Sequence, residues 1–327
     1  MQAVKTEQWT ADTELTDFEV MPLKVGQEDL AHTATLIRAS NNPKSTTHTI
    51  LYVHGMTDYF FQEHLAHAFV EAGFAFYAID LHGFGRSITA NERPNYCDTV
   101  DEYFAEIDLA INTIKAETSG TLTINAHSTG GLILSLYAHR GLEREQIDGL
   151  CLNSPFFEFP ADGIELLGIK LVAWLGRIFP HASYPRSKPS LYAQSIYKGY
   201  RGEWDYNLTI KPAQGFPLYL GWLNAIVAGQ RELQAGLNIQ CPVLVMHSAQ
   251  SIRGLGRWRD DMLSTDAVLN VEHMRRFGPG LGQTVSLIEI EGGMHDLILS
   301  SPPVRAAVLA QMFAWLGQIA GPVNSRA

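Results

Sequence analysis

Cysteine is scarce in this sequence of 327 residues. Cys97, Cys151 and Cys241 are odd in number and widely separated, and they show no metal-ligand spacing. Cys151 and Cys241 lie within or beside apolar strand-like runs, where a free thiol is usually a buried packing group. We therefore expect buried free thiols, no metal site built on cysteine, and a reducing, cytoplasmic location.

Positive charge is also in short supply. The chain has 24 Lys and Arg against 34 Asp and Glu, which gives a formal net charge of −10 with histidine neutral. Binding to nucleic acid requires clustered basic side chains that neutralise phosphates. The nearest approach to such a cluster is Arg253, Arg257 and Arg259, and Asp260 and Asp261 follow it at once. Nucleic acid is therefore not expected as a partner.

Long apolar runs are missing as well. The most apolar stretch, residues 163–179, is interrupted by Glu165, Lys170 and Arg177 and is short for a bilayer span. We expect it to be a helix packed on the main domain rather than a contact with a lipid surface. Residues 1–14 are polar and acidic and do not have the pattern of a secretory signal. Stable insertion into a membrane is therefore not expected.

What remains is an ordinary globular composition, with 46% hydrophobic and 18% charged residues, which allows a large buried core. Strand-like and helix-like segments alternate after an opening antiparallel pair. This alternation predicts an α/β fold with a mostly parallel central sheet and helices on both faces. Strands are predicted at residues 18–25, 32–40, 49–53, 75–80, 121–126, 147–152, 242–247 and 285–289. Helices are predicted at residues 62–72, 98–117, 129–139, 271–277 and 303–319.

The alternation stops between residues 155 and 238. This stretch is rich in aromatic residues, proline and glycine, and it contains helical pieces. We expect a helical cap inserted over the carboxyl ends of the strands, where functional groups of such sheets gather. The predicted division is a core of residues 1–154 and 239–327 and a cap of residues 155–238.

The most informative motif surrounds Ser128, in the sequence AHSTGG of residues 126–131. A tight strand-to-helix turn needs small residues two positions from the serine, here Ala126 and Gly130, and it lifts the hydroxyl above the sheet. An isolated serine in this setting would be interpreted as a helix N-cap. Because a predicted strand precedes it and a predicted helix follows it, we predict a nucleophile. His127 is expected to pack in the turn and to point away.

A nucleophilic serine that transfers acyl groups needs two N–H donors aimed at the oxygen that becomes negative. We expect one donor to be the backbone N–H of Thr129, directly after the nucleophile. We assign the other to the backbone N–H of Met56, in the turn of residues 54–59, where Gly55 leaves room for a substrate. His54 is expected to be a hydrogen-bonded structural histidine.

The general base should follow the nucleophile and the acid in chain order. His295 lies between the last predicted strand and the last predicted helix. His247 ends the preceding strand, and His273 lies inside a predicted helix, so His295 is the predicted base. Asp296 is adjacent to it in sequence and is poorly placed to orient the imidazole. We expect Asp296 to be a helix cap or a surface residue.

The acid should lie beyond the predicted strand of residues 242–247, where Asp260, Asp261 and Asp266 are candidates. Residues 248–263 are rich in glycine and arginine and are interpreted as an insertion. Asp266 then precedes a short apolar stretch and a helix, which is the usual order, and it is the favoured acid. Asp260 and Asp261 are expected in a solvated loop, paired with nearby arginines.

Together these features resemble the α/β-hydrolase superfamily, in the branch that contains monoglyceride lipases and lysophospholipases. The resemblance covers nearly the whole chain, and Ala126 replaces the usual first glycine of the serine turn. It rests on residues 54–55, DLHGFGRS at 80–87, the Ser128 turn, NSPFF at 153–157 and GMHD at 293–296. It implies a serine esterase that needs no cofactor or metal and acts on a small acyl ester or a lipid. The residues it implies are Ser128, His295 and Asp266 as a triad and the N–H groups of Met56 and Thr129 as an oxyanion hole.

Two other functions stay open. A peptidase of the proline iminopeptidase type would use acids of the cap, such as Glu158, Glu203 or Asp205, to hold the amine of its substrate. A catalytically inactive fold that only binds a ligand would have a broken triad, yet a residue of the right type occupies every position.

Overall fold

The computed structural model describes residues 8–26, 32–90, 92–253 and 256–320. Half of the predicted polar start, residues 1–7, and two positions of the predicted insertion, residues 254–255, lie outside the described residues. The strands are β1 Thr10–Ala11, β2 Phe18–Val25, β3 His32–Ala39, β4 His48–Val53, β5 Ala75–Asp80, β6 Thr121–His127, β7 Gly149–Asn153, β8 Ser183–Tyr184, β9 Leu218–Tyr219, β10 Val243–Ser248 and β11 Val285–Ile290. The helices are α1 Glu63–Glu71, α2 Phe104–Glu117, α3 Thr129–Arg140, α4 Gly163–Leu175, α5 Leu191–Ile196, α6 Leu220–Gln234, α7 Val271–Phe277 and α8 Pro302–Ala320.

Within the described residues, nine strands form one sheet in the order β1-β2-β3-β5-β4-β6-β7-β10-β11. Strands β1, β2 and β3 are antiparallel to their neighbours, and β3 pairs antiparallel with β5. From β5 to β11 all neighbours are parallel. The predicted α/β class, the opening antiparallel pair and the mostly parallel sheet are confirmed.

Strand β4 shows why the sheet is covered on both faces. All six of its residues are buried, and successive side chains of a strand point to opposite faces. Leu51 and Val53 belong to one apolar cluster, which helices α2, α3 and α6 complete. Ile50 and Tyr52 belong to another, completed by α1 and α8. Continuous apolar strands of this kind are typical of parallel sheets between two layers of helices.

Five elements lie between β7 and β10, where the alternation of strands and helices was predicted to stop. They are α4, β8, α5, β9 and α6, and the short strands β8 and β9 pair antiparallel. Helix α6 buries Trp222, Leu223 and Ile226 in the same apolar cluster as α3. Helix α6 therefore packs the segment between β7 and β10 against the helices and strands of the sheet.

Helix α4 corrects one expectation. The prediction that residues 163–179 pack on the main domain holds only in part, because α4 contacts mainly α6 and joins the apolar cluster of the sheet through Ala173 and Ile169. Ile164 is 90% exposed, and Leu167, Leu171 and Trp174 are also exposed. Among the described residues, no helix combines the length and the apolar character that crossing a bilayer requires.

Candidate active site

The backbone at Ser128 is strained. Strand β6 ends at His127, helix α3 begins at Thr129, and Ser128 between them has φ 52° and ψ −114°. A residue other than glycine rarely adopts a positive φ, and such strain is concentrated at functional sites. The turn that joins the strand and the helix is therefore the sharp one that the sequence predicted.

The glycines after Ser128 allow the helix to approach closely. A Cβ atom added at Gly130 would lie 2.4 Å from the carbonyl oxygen of His54 and 3.0 Å from that of Val53. At Gly131, an added Cβ would lie 2.7 Å from Cβ of Pro155. Side chains at these two positions would push α3 away from the end of β4 and from the segment after β7.

Ser128, His295 and Asp266 form a buried chain of hydrogen bonds. The Oγ atom of Ser128 lies 3.0 Å from Nε2 of His295, and Nδ1 of His295 lies 2.9 Å from Oδ2 of Asp266. Because the carboxylate accepts the Nδ1 proton, Nε2 is left as an acceptor for the serine hydroxyl. The structure thus brings together the three residues that the sequence predicted as nucleophile, base and acid.

Asp266 is held from two sides. Its Oδ1 accepts hydrogen bonds from the N–H groups of Val268, at 2.8 Å, and Leu269, at 2.7 Å. Its own N–H donates to the carbonyl oxygen of Gln250, at 2.9 Å. The chain therefore leaves the sheet at the end of β10, forms a loop, and comes back at Asp266 to contact Gln250, two residues after β10. The carboxylate is 0% exposed, and its orientation toward His295 is fixed by the backbone.

The other two candidate acids lie elsewhere. Asp260 accepts a hydrogen bond from Nε1 of Trp258 at 2.8 Å, and Asp261 pairs with Arg259. Both bind neighbours in the same loop, and the imidazole of His295 binds Asp266 instead. The expectation of a solvated loop is therefore confirmed, with the difference that Asp260 binds an indole instead of an arginine.

The turn after β4 lies against the nucleophile. A Cβ atom added at Gly55 would be 3.0 Å from Cβ of Ser128. Met56 and Thr129, the predicted sources of the two N–H donors, line the same cavity as Ser128. His54 accepts the N–H of Leu81 at Nε2, at 3.1 Å, and donates from Nδ1 to the carbonyl oxygen of Gly55, at 2.8 Å. His54 is therefore a structural histidine, as expected, and it holds the turn.

His127 does not point away from the site. It lines the cavity with Ser128, and its ring centroid lies 5.0 Å from that of His295. Its Nδ1 lies 3.4 Å from Oδ2 of Asp58. The expectation was wrong because the carboxylate of Asp58 gives the imidazole a partner on the cavity side of the turn.

Asp58 joins the turn after β4 to the segment between β7 and β10. Nζ of Lys211 lies 2.5 Å from Oδ1 of Asp58 and donates to the carbonyl oxygen of Thr57, at 3.3 Å. Burial opposes the charged form of Asp58, but Lys211 and His127 outweigh it and lower the pKa of the carboxyl group. The ionised form of Asp58 is therefore favoured, in the lining of the same cavity as Ser128.

Asp296 is not a surface residue. It is buried, and it accepts hydrogen bonds from Nδ2 of Asn153, at 2.7 Å, and from Nε2 of Gln62, at 3.2 Å. It also caps the turn after it by accepting the N–H of Ile298, at 3.1 Å, so the capping part of the expectation is confirmed. The surface part was wrong because Asn153 and Gln62 supply partners that the local sequence does not reveal.

A cavity of about 840 Å³ opens above Ser128 and His295. Tyr192 meets the ring of His295 edge-on, with the centroids 5.4 Å apart. Much of the remaining wall is apolar and comes from Phe156, Phe159, Leu191, Leu218, Trp222, Val268 and Leu269. A mostly apolar cavity with a few polar groups at its floor is typical of sites that bind small molecules.

Sequence reasoning missed Asp58 and Lys211. Asp58 lies in the turn predicted to supply an oxyanion donor, so its position was a usable signal. Lys211 reaches the site from the segment between β7 and β10, and nothing in its own neighbourhood marks it. Tyr192 was expected only as one of the many aromatic residues of this segment, without its place beside His295.

A comparison with protein families matches residues 44–251, more than half of the chain, to the family described as serine aminopeptidase, S33. The chain belongs to this family. The matched range contains Ser128 and ends before Asp266 and His295. The family match therefore supports the turn that contains Ser128. The roles of Asp266 and His295 are supported by the hydrogen bonds described above and not by the family match.

Solved structures of similar fold include a soluble variant of the monoglyceride lipase of Saccharomyces cerevisiae, at 17% identity and a TM-score of 0.67, covering 91% of this chain and 95% of that one. The monoacylglycerol lipase of Paleococcus ferrophilus is 20% identical with a TM-score of 0.61, covering 84% and 97%. A thermophilic esterase from Thermogutta terrifontis is 16% identical with a TM-score of 0.55, covering 91% and 99%. These likenesses show the α/β-hydrolase fold. The comparison with curated proteins finds no match.

Proposed function

We propose that this protein is a serine hydrolase of carboxylic esters, an esterase of the monoacylglycerol lipase or lysophospholipase type. The observation that carries the proposal is the chain of hydrogen bonds from Ser128 through His295 to Asp266 at the floor of the apolar cavity. The monoglyceride and monoacylglycerol lipases of similar fold support the same chemistry.

In the first half of the proposed reaction, Oγ of Ser128 attacks the ester carbonyl while Nε2 of His295 takes its proton. Asp266 orients the imidazole and stabilises its charged form. The N–H groups of Met56 and Thr129 hold the developing oxyanion. His295 then gives its proton to the alcohol, which leaves.

In the second half, a water molecule takes the place of the alcohol. His295 accepts a proton from this water as it attacks the acyl-enzyme, and the proton passes to Oγ of Ser128 when the carboxylic acid is released. The chain's own side chains supply each proton transfer of this sequence.

The positions of the cap acids favour ester hydrolysis over release of N-terminal residues. Glu158 pairs with Lys170 at 3.2 Å, and Glu203 pairs with Arg305 at 3.4 Å. Asp205 pairs with Lys198. Among the described residues, none of these three acids lines the cavity, so none is placed to bind the amine of a peptide substrate.

We also propose that residues 155–238 act as the cap and residues 1–154 and 239–327 as the core. Trp222 and Tyr192 from this segment cover Ser128 and His295. Some of its aromatic side chains would hold the acyl chain, and others form the packing of the cap itself.

Two substrate series test the function. The purified protein is assayed with nitrophenyl esters of increasing acyl length and with aminoacyl arylamides. We expect turnover of the esters and loss of that turnover in Ser128→Ala. Cleavage of the arylamides alone would replace the ester proposal by the peptidase, and turnover of neither series would favour a fold that only binds a ligand.

A further inference from the structure

Two basic side chains of the cap reach the cavity without a carboxylate partner among the residues that the structure describes. Arg186 and Lys188 lie between β8 and α5, are exposed at the cavity mouth, and line it together with Lys211. The charge of Lys211 is balanced by Asp58. No ion pair is found for Arg186 or Lys188 in the described part of the chain.

The lining of the cavity is therefore positive although the chain is acidic. Among the described residues that line the cavity, Asp58 is the one carboxylate; Lys211 already pairs with it, and Nδ1 of His127 lies 3.4 Å from it. The chain as a whole has a formal net charge of −10. A cleft of opposite sign to its surroundings concentrates ligands of the complementary charge.

Arg186 lies beside the turn that faces the nucleophile. A Cβ atom added at Gly215 would be 2.7 Å from Nη1 of Arg186 and 3.6 Å from Oγ1 of Thr57. Gly215 has φ +76°, and the missing side chain leaves the space that the guanidinium fills. Arg186 and Thr57 therefore both lie beside Gly215, and no ion pair within the described residues uses the donors of the guanidinium.

We propose that the substrate is an ester that carries a second, anionic group, a phosphate or a carboxylate, and that Arg186 binds this group with Lys188 beside it. This inference rests on the proposed ester hydrolysis. A guanidinium binds the oxygens of a phosphate or a carboxylate through two parallel hydrogen bonds, whereas an ammonium acts as a point charge. Arg186 is therefore the specificity-determining residue and Lys188 its support.

The test compares matched soluble substrates of one short acyl length. A monoacylglycerol is the neutral ester, its phosphate monoester tests a phosphate, and the half-ester of a dicarboxylic acid tests a carboxylate. The readout is the ratio of kcat/KM for each anionic ester to that for the neutral ester. We expect the wild-type protein to favour at least one anionic ester, which identifies the source of the charge.

The variants are Arg186→Gln and Lys188→Gln, with Arg177→Gln as the matched control. Arg177 is an exposed arginine of the same cap that does not line the cavity. We expect Arg186→Gln to lower the ratio by about 10-fold to 100-fold, the effect of losing a hydrogen bond to a charged group. Lys188→Gln should lower the ratio less, and Arg177→Gln should leave it unchanged.

Two outcomes overturn the inference in different ways. A wild-type ratio at or below one that Arg186→Gln does not change would refute the anionic substrate and leave ester hydrolysis standing. Failure of the wild-type protein to hydrolyse any of the three esters would refute the proposed function, and the inference with it.

Discussion

Asp266 has both carboxylate oxygens in use, one on His295 and the other on the N–H groups of Val268 and Leu269. We predict that Asp266→Asn lowers kcat by about 10³-fold or more, because an amide in place of the carboxylate disfavours the tautomer of His295 that accepts the serine proton. Steady-state kinetics with an activated ester provides the measurement. Asp260→Asn, which changes an exposed acid of the same loop, is the control, and equal losses in the two variants would refute the assignment.

His82 is a buried histidine far from this chemistry. Burial lowers its pKa, but Glu106, which binds Nδ1, together with Glu102 and Glu92, outweighs burial and raises the pKa above its ordinary value near 6.5. The ring of His32 stacks on it at 4.3 Å. Because the folded-state pKa is raised, the stabilisation is complete below about pH 6.5 and is lost as the pH rises through the folded-state value.

We predict that His82→Gln lowers the unfolding free energy more at about pH 5.5 than at about pH 9. Urea unfolding at the two pH values measures the difference. The same substitution made in a Glu106→Gln background should lose most of this pH dependence, and a loss that is equal at both pH values in the wild-type background would contradict the assignment.

Helix α2 contains two residues whose burial differs from what hydrophobicity alone would suggest. The helix predicted at residues 98–117 depends on apolar residues at helical intervals, and Leu109 is one of them. Leu109 is 38% exposed, whereas Glu106 is buried. The pattern could not reveal that Glu106 has a buried partner, because His82 comes from the turn after β5, 24 residues earlier. A buried charge is placed by its partner and not by hydrophobic periodicity.

Among the elements, the segment that carries Lys211 is tied to the turn after β4 by a buried ion pair with Asp58. We predict that Lys211→Met lowers the unfolding free energy by about 3 kcal/mol, because it leaves a buried carboxylate with only His127 as a partner. Denaturant unfolding measures the loss. The double variant Asp58→Asn, Lys211→Met should recover most of it, and a single variant as stable as the wild type would show that the pair is dispensable.

Helix α4 has an exposed side and a buried side, and substitutions on the two sides should differ in their effect on stability. Leu167 and Leu171 point outward, so changing either to Gln should alter the unfolding free energy by no more than about 0.5 kcal/mol. Ala173 is the buried residue of the helix, and Ala173→Gln should cost more than about 2 kcal/mol. Thermal or urea unfolding distinguishes the variants. The reverse ranking would mean that the outward face of α4 is packed in solution.

The order of elements was predictable because each strand of the parallel part is a short apolar run bounded by turn residues. Strand β4, for example, is HTILYV followed by His54 and Gly55. The path of the chain between β7 and β10 was not predictable in the same way. Tyr192 and Lys211 contact the site from a segment without regular alternation, and their positions depend on packing between residues far apart in sequence.

At the scale of the whole molecule, the candidate site is assembled from four separate parts of the chain. Ser128 comes after β6, Asp266 after β10, His295 after β11, and Met56 after β4. The carboxyl ends of parallel strands meet at one edge of the sheet, so the order of strands and motifs was enough to predict which residues come together. It was not enough to predict the charge of the cavity, to which Arg186 and Lys188 contribute from the segment between β8 and α5.

Covalent labelling of Ser128 by a fluorophosphonate tests the central claim most directly. An activated serine attacks the phosphorus and retains the adduct, whereas an ordinary buried serine does not react. We predict labelling of the wild-type protein at Ser128, strong slowing in His295→Gln, and no labelling in Ser128→Ala. A wild-type protein that stays unlabelled, or labelling that persists in Ser128→Ala, would contradict the account.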